Sequence, residues 1–144
     1  LNKWPPFYKK IIFMFQKEVA DRILAKSKTN KYGRLTILAN YRLDIVKSFG
    51  ISKNCFFPMP AVDSKVIVFK PKLNIRYRIK NIKNLEHITN IFFSGKRKMI
   101  NKALAKIFKN HISVSKRFKI DLNLRPADLS LDQYYKLAEY FESN

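Results

Sequence analysis

The hydrophobic period changes along this chain, from runs typical of strands to spacings typical of helices. Three apolar runs rich in β-branched and aromatic residues predict strands over 9–15, 43–49 and 62–69. Between the first two runs, apolar residues recur at three and four positions, which predicts a helix over 16–25 and a second, short helix that begins near Gly33. A chain with this order of elements folds as an α/β unit.

After Pro71 the helical spacing takes over. It predicts two amphipathic helices, around 85–92 and 100–108. A last helix begins near Ser130, which has the pattern of an N-cap with Gln133 three residues further on. The segment from Pro71 to Asn84 is the predicted boundary, so we expect an α/β unit over 1–72 and an all-α unit over 73–144.

The charge of the chain is strongly positive and unevenly spread. The 144 residues carry 30 Lys or Arg and 10 Asp or Glu, a formal net charge of +20, and residues 70–119 contain 15 basic side chains and one acidic side chain. A field of this sign concentrates phosphate near the surface, and docking of a polyanion releases counterions. We therefore expect a polyanionic partner that contacts the middle of the chain.

Several other classes of function are disfavoured. One cysteine, Cys55, cannot form an internal disulfide or build a structural zinc site by itself, so we expect no metal site. His87 and His111 lie on separate segments without a nucleophile or carboxylate at a catalytic spacing, and the three glycines are too far apart for a phosphate-binding loop. No apolar run is long enough to cross a bilayer and no signal-peptide pattern is present, so we expect a cytoplasmic protein.

A basic stripe is the densest charge in the sequence. Lys98, Lys102, Lys106 and Lys109 are spaced by four, four and three, which places them on one face of a predicted helix. Lys96 and Arg97 extend this stripe, which suits a phosphate backbone. The alternative is an ordinary solvated helix face, but like charges at this spacing repel unless something relieves them.

The proline-braced loop over 55–60 is the second candidate site. Phe56 and Phe57 lie on a stiff backbone where an aromatic face can stack on an unpaired base. The alternative is that these rings are packed under the loop. Gln16, Lys17 and Glu18 follow the first predicted strand, at the end where open α/β sheets place ligands.

Taken in order, these segments resemble a known family. The motifs are Phe13-Met14-Phe15-Gln16-Lys17-Glu18-Val19-Ala20-Asp21-Arg22-Ile23, Tyr32-Gly33-Arg34-Leu35-Thr36, Phe56-Phe57-Pro58-Met59-Pro60-Ala61-Val62-Asp63-Ser64, Phe93-Ser94-Gly95-Lys96-Arg97-Lys98 and Arg125-Pro126-Ala127-Asp128. They resemble the small-subunit ribosomal RNA adenine dimethyltransferases, the KsgA family.

The resemblance implies the C-terminal strands and helices of a Rossmann-like methyltransferase domain, followed by a small helical domain. It implies an S-adenosylmethionine-dependent enzyme that dimethylates two adjacent adenines near the 3′ end of small-subunit rRNA, with the immature 30S subunit as partner and a monomeric protein. The family's cofactor loop would precede Leu1, so no cofactor-binding residue is assigned in this chain.

The resemblance also implies roles for individual residues. Phe56 matches a phenylalanine that stacks on the flipped adenine. The triplet Lys96-Arg97-Lys98 matches a basic triplet that contacts rRNA phosphates, and Lys102, Lys106 and Lys109 extend the same predicted surface.

Two alternatives remain open at this point. The first is the related large-subunit rRNA methyltransferases that confer macrolide resistance, although the segments around Gln16 and Tyr32 favour the small-subunit group. The second is a non-catalytic RNA-binding module in ribosome assembly.

Overall fold

The computed structural model describes residues 7–143, and in this part of the chain a small sheet is followed by a helical bundle. The strands and helices are β1 (Ile11–Gln16), α1 (Lys17–Ile23), α2 (Arg34–Arg42), β2 (Leu43–Ile51), β3 (Ser64–Pro71), α3 (Ile82–Ser94), α4 (Asn101–Ile107), α5 (His111–Arg117) and α6 (Leu131–Glu142). Single turns of 3-10 helix lie at Lys53–Cys55 and Pro126–Asp128.

The three predicted strands are confirmed and form one sheet. β3 lies in the middle and pairs antiparallel with both β1 and β2. The strands begin or end up to two residues from the predicted positions; β3, for example, begins at Ser64, which lies opposite Gln16 of β1 and Ile51 of β2. The pairing partners, not the apolar run alone, therefore set where a strand starts.

One face of the sheet is covered by a helix, whereas the other face is largely exposed. One face packs on α1 and forms a small core of buried side chains: Ala20, Ile23, Leu43, Ile67 and Phe69. On β1 and β2 the opposite face presents Ile12, Met14 and Phe49, each close to half exposed or more. Strands alternate their side chains between faces, so a sheet that is apolar on both faces has a second surface suited to further packing.

The larger core joins α2 to the helices that follow the sheet. Its buried side chains include Tyr32, Ile37 and Tyr41 from the α2 region together with residues of α3, α4, α5 and α6. The Tyr135 hydroxyl on α6 donates a hydrogen bond of 2.8 Å to the Ile37 carbonyl on α2. The boundary between 1–72 and 73–144 therefore stays a prediction as a domain division, and α2 packs across it.

Carboxylates of α6 fasten the segment that connects the sheet to the bundle. Glu142 accepts hydrogen bonds from the backbone N–H groups of Lys80 (2.7 Å) and Asn81 (2.9 Å), and Glu139 accepts one from Arg78 (2.9 Å). The Tyr77 hydroxyl donates to Asp132; burial, together with this bond, raises the pKa of Tyr77 to about 12. The acidic C-terminal residues thus hold the segment at the predicted boundary against the bundle.

The residues that cap α6 and α4 test where these two helices were predicted to begin and end. The start of α6 is confirmed, since Ser130 Oγ accepts from the Gln133 N–H (3.3 Å) and Gln133 Oε1 accepts from the Ser130 N–H (3.0 Å). The helix predicted around 100–108 is confirmed as α4, but its expected extension to Lys109 is wrong. It ends at Ile107 because Phe108 turns to an extended conformation and buries its ring, and α5 follows as a helix that the spacing did not predict.

Candidate nucleic-acid interface

A polar cavity lies at the carboxyl end of β1. We call it the β1 cavity; its volume is about 400 Å³, and it is lined by Gln16, Lys17, Glu18, Asp21, Lys31, Lys53, Ala61, Val62 and Asp63. The Lys17 N–H donates to the Asp63 carbonyl (2.9 Å), which ties the start of α1 to the loop before β3. The residues that follow the first strand thus line a cavity at the edge of the sheet where the sequence placed them.

One carboxylate in this cavity holds three lysines. Asp21 Oδ2 lies 3.0 Å from Lys17 Nζ and 2.7 Å from Lys31 Nζ, and Asp21 Oδ1 lies 2.7 Å from Lys65 Nζ. Hydrogen bonds from Lys31, Lys65 and Lys17 keep the pKa of Asp21 far below its usual range. Because three ammonium groups share one carboxylate, this lysine cluster keeps a local excess of positive charge.

The loop after β2 borders the same cavity. The Lys53 N–H donates to Asp63 Oδ1 (2.9 Å), and Ser52 Oγ accepts from the Asn54 N–H (3.3 Å). Phe56 is partly buried at the end of the 3-10 turn, whereas Phe57 is fully exposed. Of the two rings, the structure therefore leaves Phe57 the more accessible, and the role of Phe56 stays a prediction.

A larger groove lies at the N-terminus of α2. We call it the α2 groove; its volume is about 810 Å³, and it is lined by Glu18, Arg22, Asn30, Lys31, Tyr32, Gly33, Arg34, Leu35, Leu38, Phe93 and Lys96. Arg22 is paired with Glu18 at 2.7 Å, and Arg34 Nη1 donates to Asn90 Oδ1 across to α3 at 3.1 Å. Lys96 Nζ donates to the Asn30 carbonyl at one edge of the groove.

The predicted basic stripe divides between three places. Lys96, Arg97 and Lys98 form the turn between α3 and α4, which we call the basic turn, and all three side chains are exposed. Lys98, Lys102 and Lys106 line one cavity of about 280 Å³ with residues of α3 and α4. Lys109 lies beyond the end of α4, so the prediction of one continuous helix carrying four of these lysines is wrong.

Sequence reasoning missed three cations that the fold brings to this surface. Lys31, Arg34 and Lys65 lie in a loop, at the start of a helix and on a strand, with no spacing that connects them. Arg34 did fall within a motif that carries the family resemblance, but the residue pattern gave it no chemical role. Only the packing of α1 against β3 and α2 brings Lys65 and Lys31 to Asp21.

Other titratable groups do not form a second site in the described part of the chain. His87 is exposed, and its ring lies 6.1 Å from that of Phe141. Across residues 7–143 no three His, Cys, Asp or Glu side chains come together in a way that could hold a metal ion. Within the same range, no helix has the length and apolar character needed to span a membrane.

Comparison of folds defines the class of this chain. It superposes on a dimethyladenosine transferase from Plasmodium falciparum with a TM-score of 0.78 and 25% identity, covering 96% of this chain and 59% of that one. It also matches the fold of the 23S rRNA methyltransferase ErmE, with a TM-score of 0.61 and 18% identity over 96% of this chain and 57% of that one. The chain therefore has the fold of the C-terminal strands and helices of such methyltransferases, as the resemblance implied.

Sequence comparison then identifies the family. The sequence model of the family described as Ribosomal RNA adenine dimethylase matches residues 3–143. Ribosomal RNA small subunit methyltransferase A of Pelagibacter ubique is 44% identical over 141 residues, which are 98% of this chain and 52% of that protein. The protein of that name in Buchnera aphidicola is 38% identical over 132 residues, 92% of this chain and 47% of that protein. The chain belongs to the ribosomal RNA adenine dimethylase family, and it spans about half the length of these curated relatives.

Proposed function

We propose that the protein containing this chain is an S-adenosylmethionine-dependent rRNA adenine N6,N6-dimethyltransferase. Its substrate in this proposal is a pair of adjacent adenines near the 3′ end of small-subunit rRNA. The observation that carries the proposal is the family match over residues 3–143, with relatives named for the small subunit at up to 44% identity. The net charge of +20 agrees with an RNA substrate.

The methyl donor is bound mainly outside this chain in the proposal. A nucleoside cofactor calls for an enclosed pocket with largely apolar walls. The β1 cavity is instead lined by lysines and carboxylates, so it does not fit the cofactor, and we assign no cofactor residue here. The exposed apolar face that carries Ile12, Met14 and Phe49 offers the remaining half of such a protein a surface to pack on.

Binding and orientation of the RNA are the proposed work of this chain. An adenine amine that is locked in a stack cannot reach a methyl donor, so the base has to be flipped out, and Phe56 is the ring proposed to stack on it. Holding the amine in line with the methyl donor accelerates the reaction by orienting the two reactants, without a covalent enzyme intermediate.

The basic turn and the lysines beside it are the proposed phosphate contacts. Lys96, Arg97, Lys98, Lys102 and Lys106 are exposed, and three of them share a cavity between α3 and α4. Exposed cations gain more from phosphate than from an isolated surface carboxylate, because docking releases counterions. Lys109, in the turn after α4, is included in this proposed surface although it does not line that cavity.

The proposed partner is the immature 30S subunit, with a monomeric enzyme acting in the cytoplasm. The large-subunit alternative has in its favour only the fold of ErmE, at 18% identity. A non-catalytic assembly role predicts RNA binding without methyl transfer, and the first experiment distinguishes it.

The deciding experiment is transfer of labelled methyl groups by the intact protein to unmethylated small subunits and, in parallel, to large-subunit rRNA. We expect label on two adjacent adenines of the small subunit only. Label on large-subunit rRNA would support the macrolide-resistance type instead. RNA binding without any label would support the assembly module.

The residue roles are tested in the same assay with a matched pair. Phe56→Ala should lower methyl transfer with little effect on RNA affinity, whereas Phe57→Ala, one position along, should retain activity. Reversing the charges of Lys96, Arg97 and Lys98 should weaken RNA binding at low salt far more than Phe56→Ala does. Equal effects on affinity, or loss of activity in Phe57→Ala alone, would contradict these assignments.

A further inference from the structure

We propose that the α2 groove binds a nucleotide of the substrate RNA, with its phosphate held by Lys31, Arg34 and Lys96 and its base against Phe93. This inference rests on the proposed function and adds a contact that lies between the basic turn and the β1 cavity. The groove, at about 810 Å³, has a volume that accommodates a nucleotide.

The charges that line the groove favour an anion. It has four cationic side chains and a single lining carboxylate, Glu18, which is paired with Arg22 at 2.7 Å. Lys31 is paired at 2.7 Å with Asp21, which does not line the groove and is shared with Lys17 and Lys65. Among the described residues, the hydrogen bonds of Arg34 and Lys96 go to neutral oxygens, the Asn90 side chain and the Asn30 carbonyl. Their positive charge is therefore directed at the groove without a carboxylate to balance it.

The first turn of α2 adds backbone donors on the same side. The N-cap is Gly33, whose own N–H donates to Thr36 Oγ1 at 3.2 Å. Glycine has no side chain that could accept from the next N–H groups, and the first N–H groups of a helix have no carbonyl partner within it. Such donors, beside Arg34 and Lys31, are suited to a phosphate.

Part of the groove wall is aromatic and apolar. The half-buried Phe93 ring lies 5.9 Å from that of Tyr134 in a stacked arrangement, and Leu35, which also lines the groove, is exposed. A flat apolar wall next to a row of cations matches the two parts of a nucleotide, since bases stack on aromatic rings while phosphates take the charge. An acidic peptide would use the cations and leave this wall unused, so the groove favours RNA.

The groove also connects the basic turn, a proposed phosphate contact, to the β1 cavity, which the loop carrying Phe56 borders. Lys31 and Glu18 line both the β1 cavity and the α2 groove, and Lys96 belongs to both the groove and the basic turn. One strand of RNA that reaches from the basic turn to the β1 cavity therefore crosses the α2 groove.

The first test compares RNA affinity of the intact protein with that of Lys31→Gln/Arg34→Gln, using a small-subunit rRNA fragment at two salt concentrations. Each lost phosphate contact on a single strand lowers the salt exponent by about 0.7. If the variant loses two such contacts, the ratio of wild-type to variant RNA affinity should fall about sevenfold as the salt concentration rises from about 50 to about 200 mM. The matched control is Lys83→Gln, about 15 Å from Phe93 at the other end of α3, which should leave the exponent nearly unchanged.

The second test separates charge in the groove from helix stability. Gly33 has an extended backbone, and a Cβ there would meet Phe93 only at an ordinary contact of 3.8 Å. Gly33→Ser and Gly33→Asp should both cap α2 and keep the unfolding midpoint, but only Gly33→Asp brings a negative charge. We therefore expect weaker RNA binding for the aspartate variant than for the serine variant.

The inference would be overturned if the Lys31→Gln/Arg34→Gln variant and both Gly33 variants kept the RNA affinity and salt dependence of the wild type while the basic-turn variant bound weakly. The proposed function would then still stand. If the groove variants bound RNA as the wild type does but lost binding to an acidic protein, the inference would also be overturned. Failure of the wild type itself to bind small-subunit rRNA would count against the proposed function.

Discussion

Asp21→Asn removes the one negative charge that Lys17, Lys31 and Lys65 share, with little change in side-chain shape. The three ammonium nitrogens lie 2.7 to 3.0 Å from its oxygens, and the Asp21 side chain is only 13% exposed. Exposed ion pairs contribute roughly 0.2 to 1 kcal/mol each, and the pair with the less exposed Lys65 belongs at the upper end. We expect the free energy of unfolding to fall by about 1 to 2 kcal/mol at pH 7.

The same effect has a definite dependence on pH. The pKa of Asp21 is lowered in the folded state by the three lysines, so the stabilisation is complete above the ordinary carboxyl pKa of about 4. It declines as the pH falls below that value toward the lower pKa of the folded state. The difference between wild type and Asp21→Asn should therefore be large at pH 7 and smaller at about pH 3.

Urea unfolding followed by circular dichroism at both pH values measures this difference. The matched control is Asp44→Asn, because Asp44 is 64% exposed and lies 3.7 Å from Lys72; its effect should stay within about 0.5 kcal/mol. Equal stability of Asp21→Asn and wild type at pH 7, or a difference that does not change with pH, would refute this account of the lysine cluster.

Two further predictions concern the helical core and are also measured by urea unfolding. Tyr134→Phe should lower the free energy of unfolding by about 1 to 2 kcal/mol, because the buried hydroxyl donates to the Pro126 carbonyl at 2.7 Å. Tyr32→Phe should leave this free energy unchanged or raise it, because the buried Tyr32 hydroxyl finds no hydrogen-bond partner among residues 7–143. Similar losses from both variants would contradict the hydrogen-bond reasoning. Ser130→Ala should cost about 1 kcal/mol by removing the acceptor of the Gln133 N–H, and an unchanged unfolding midpoint would show that the cap is not needed.

The basic surface shows how far a spacing rule reaches. Spacing by four correctly grouped Lys102 and Lys106 on one face of α4, and Lys98 joins them from the turn that precedes this helix. It failed for Lys109, since the gain from burying the Phe108 ring ends the helix two residues earlier. A periodic pattern holds only as far as the helix does, and tertiary packing decides that length.

The contacts of the segment at the predicted domain boundary could not be read from the sequence, for a related reason. The segment around Pro71 to Asn84 carries turn residues and basic charge, which is typical of an exposed connection. Its backbone N–H groups are instead satisfied by Glu139 and Glu142, about 60 residues further along the chain. The acidic excess at the C-terminus was visible in the sequence, but its partners were not.

The amino-acid sequence alone determined the order of the strands and of the helices other than α5, the cap at Ser130 and the family resemblance. Each of these depends on residues within a few positions of one another, where strand alternation, helical spacing and capping geometry are set by covalent connection. Only the tertiary structure brought Lys17, Lys31 and Lys65 to Asp21 and formed the α2 groove from α1, α2 and the turn after α3. Those contacts join residues that are far apart along the chain, so they exist only once α1 and α2 pack on the sheet and the bundle.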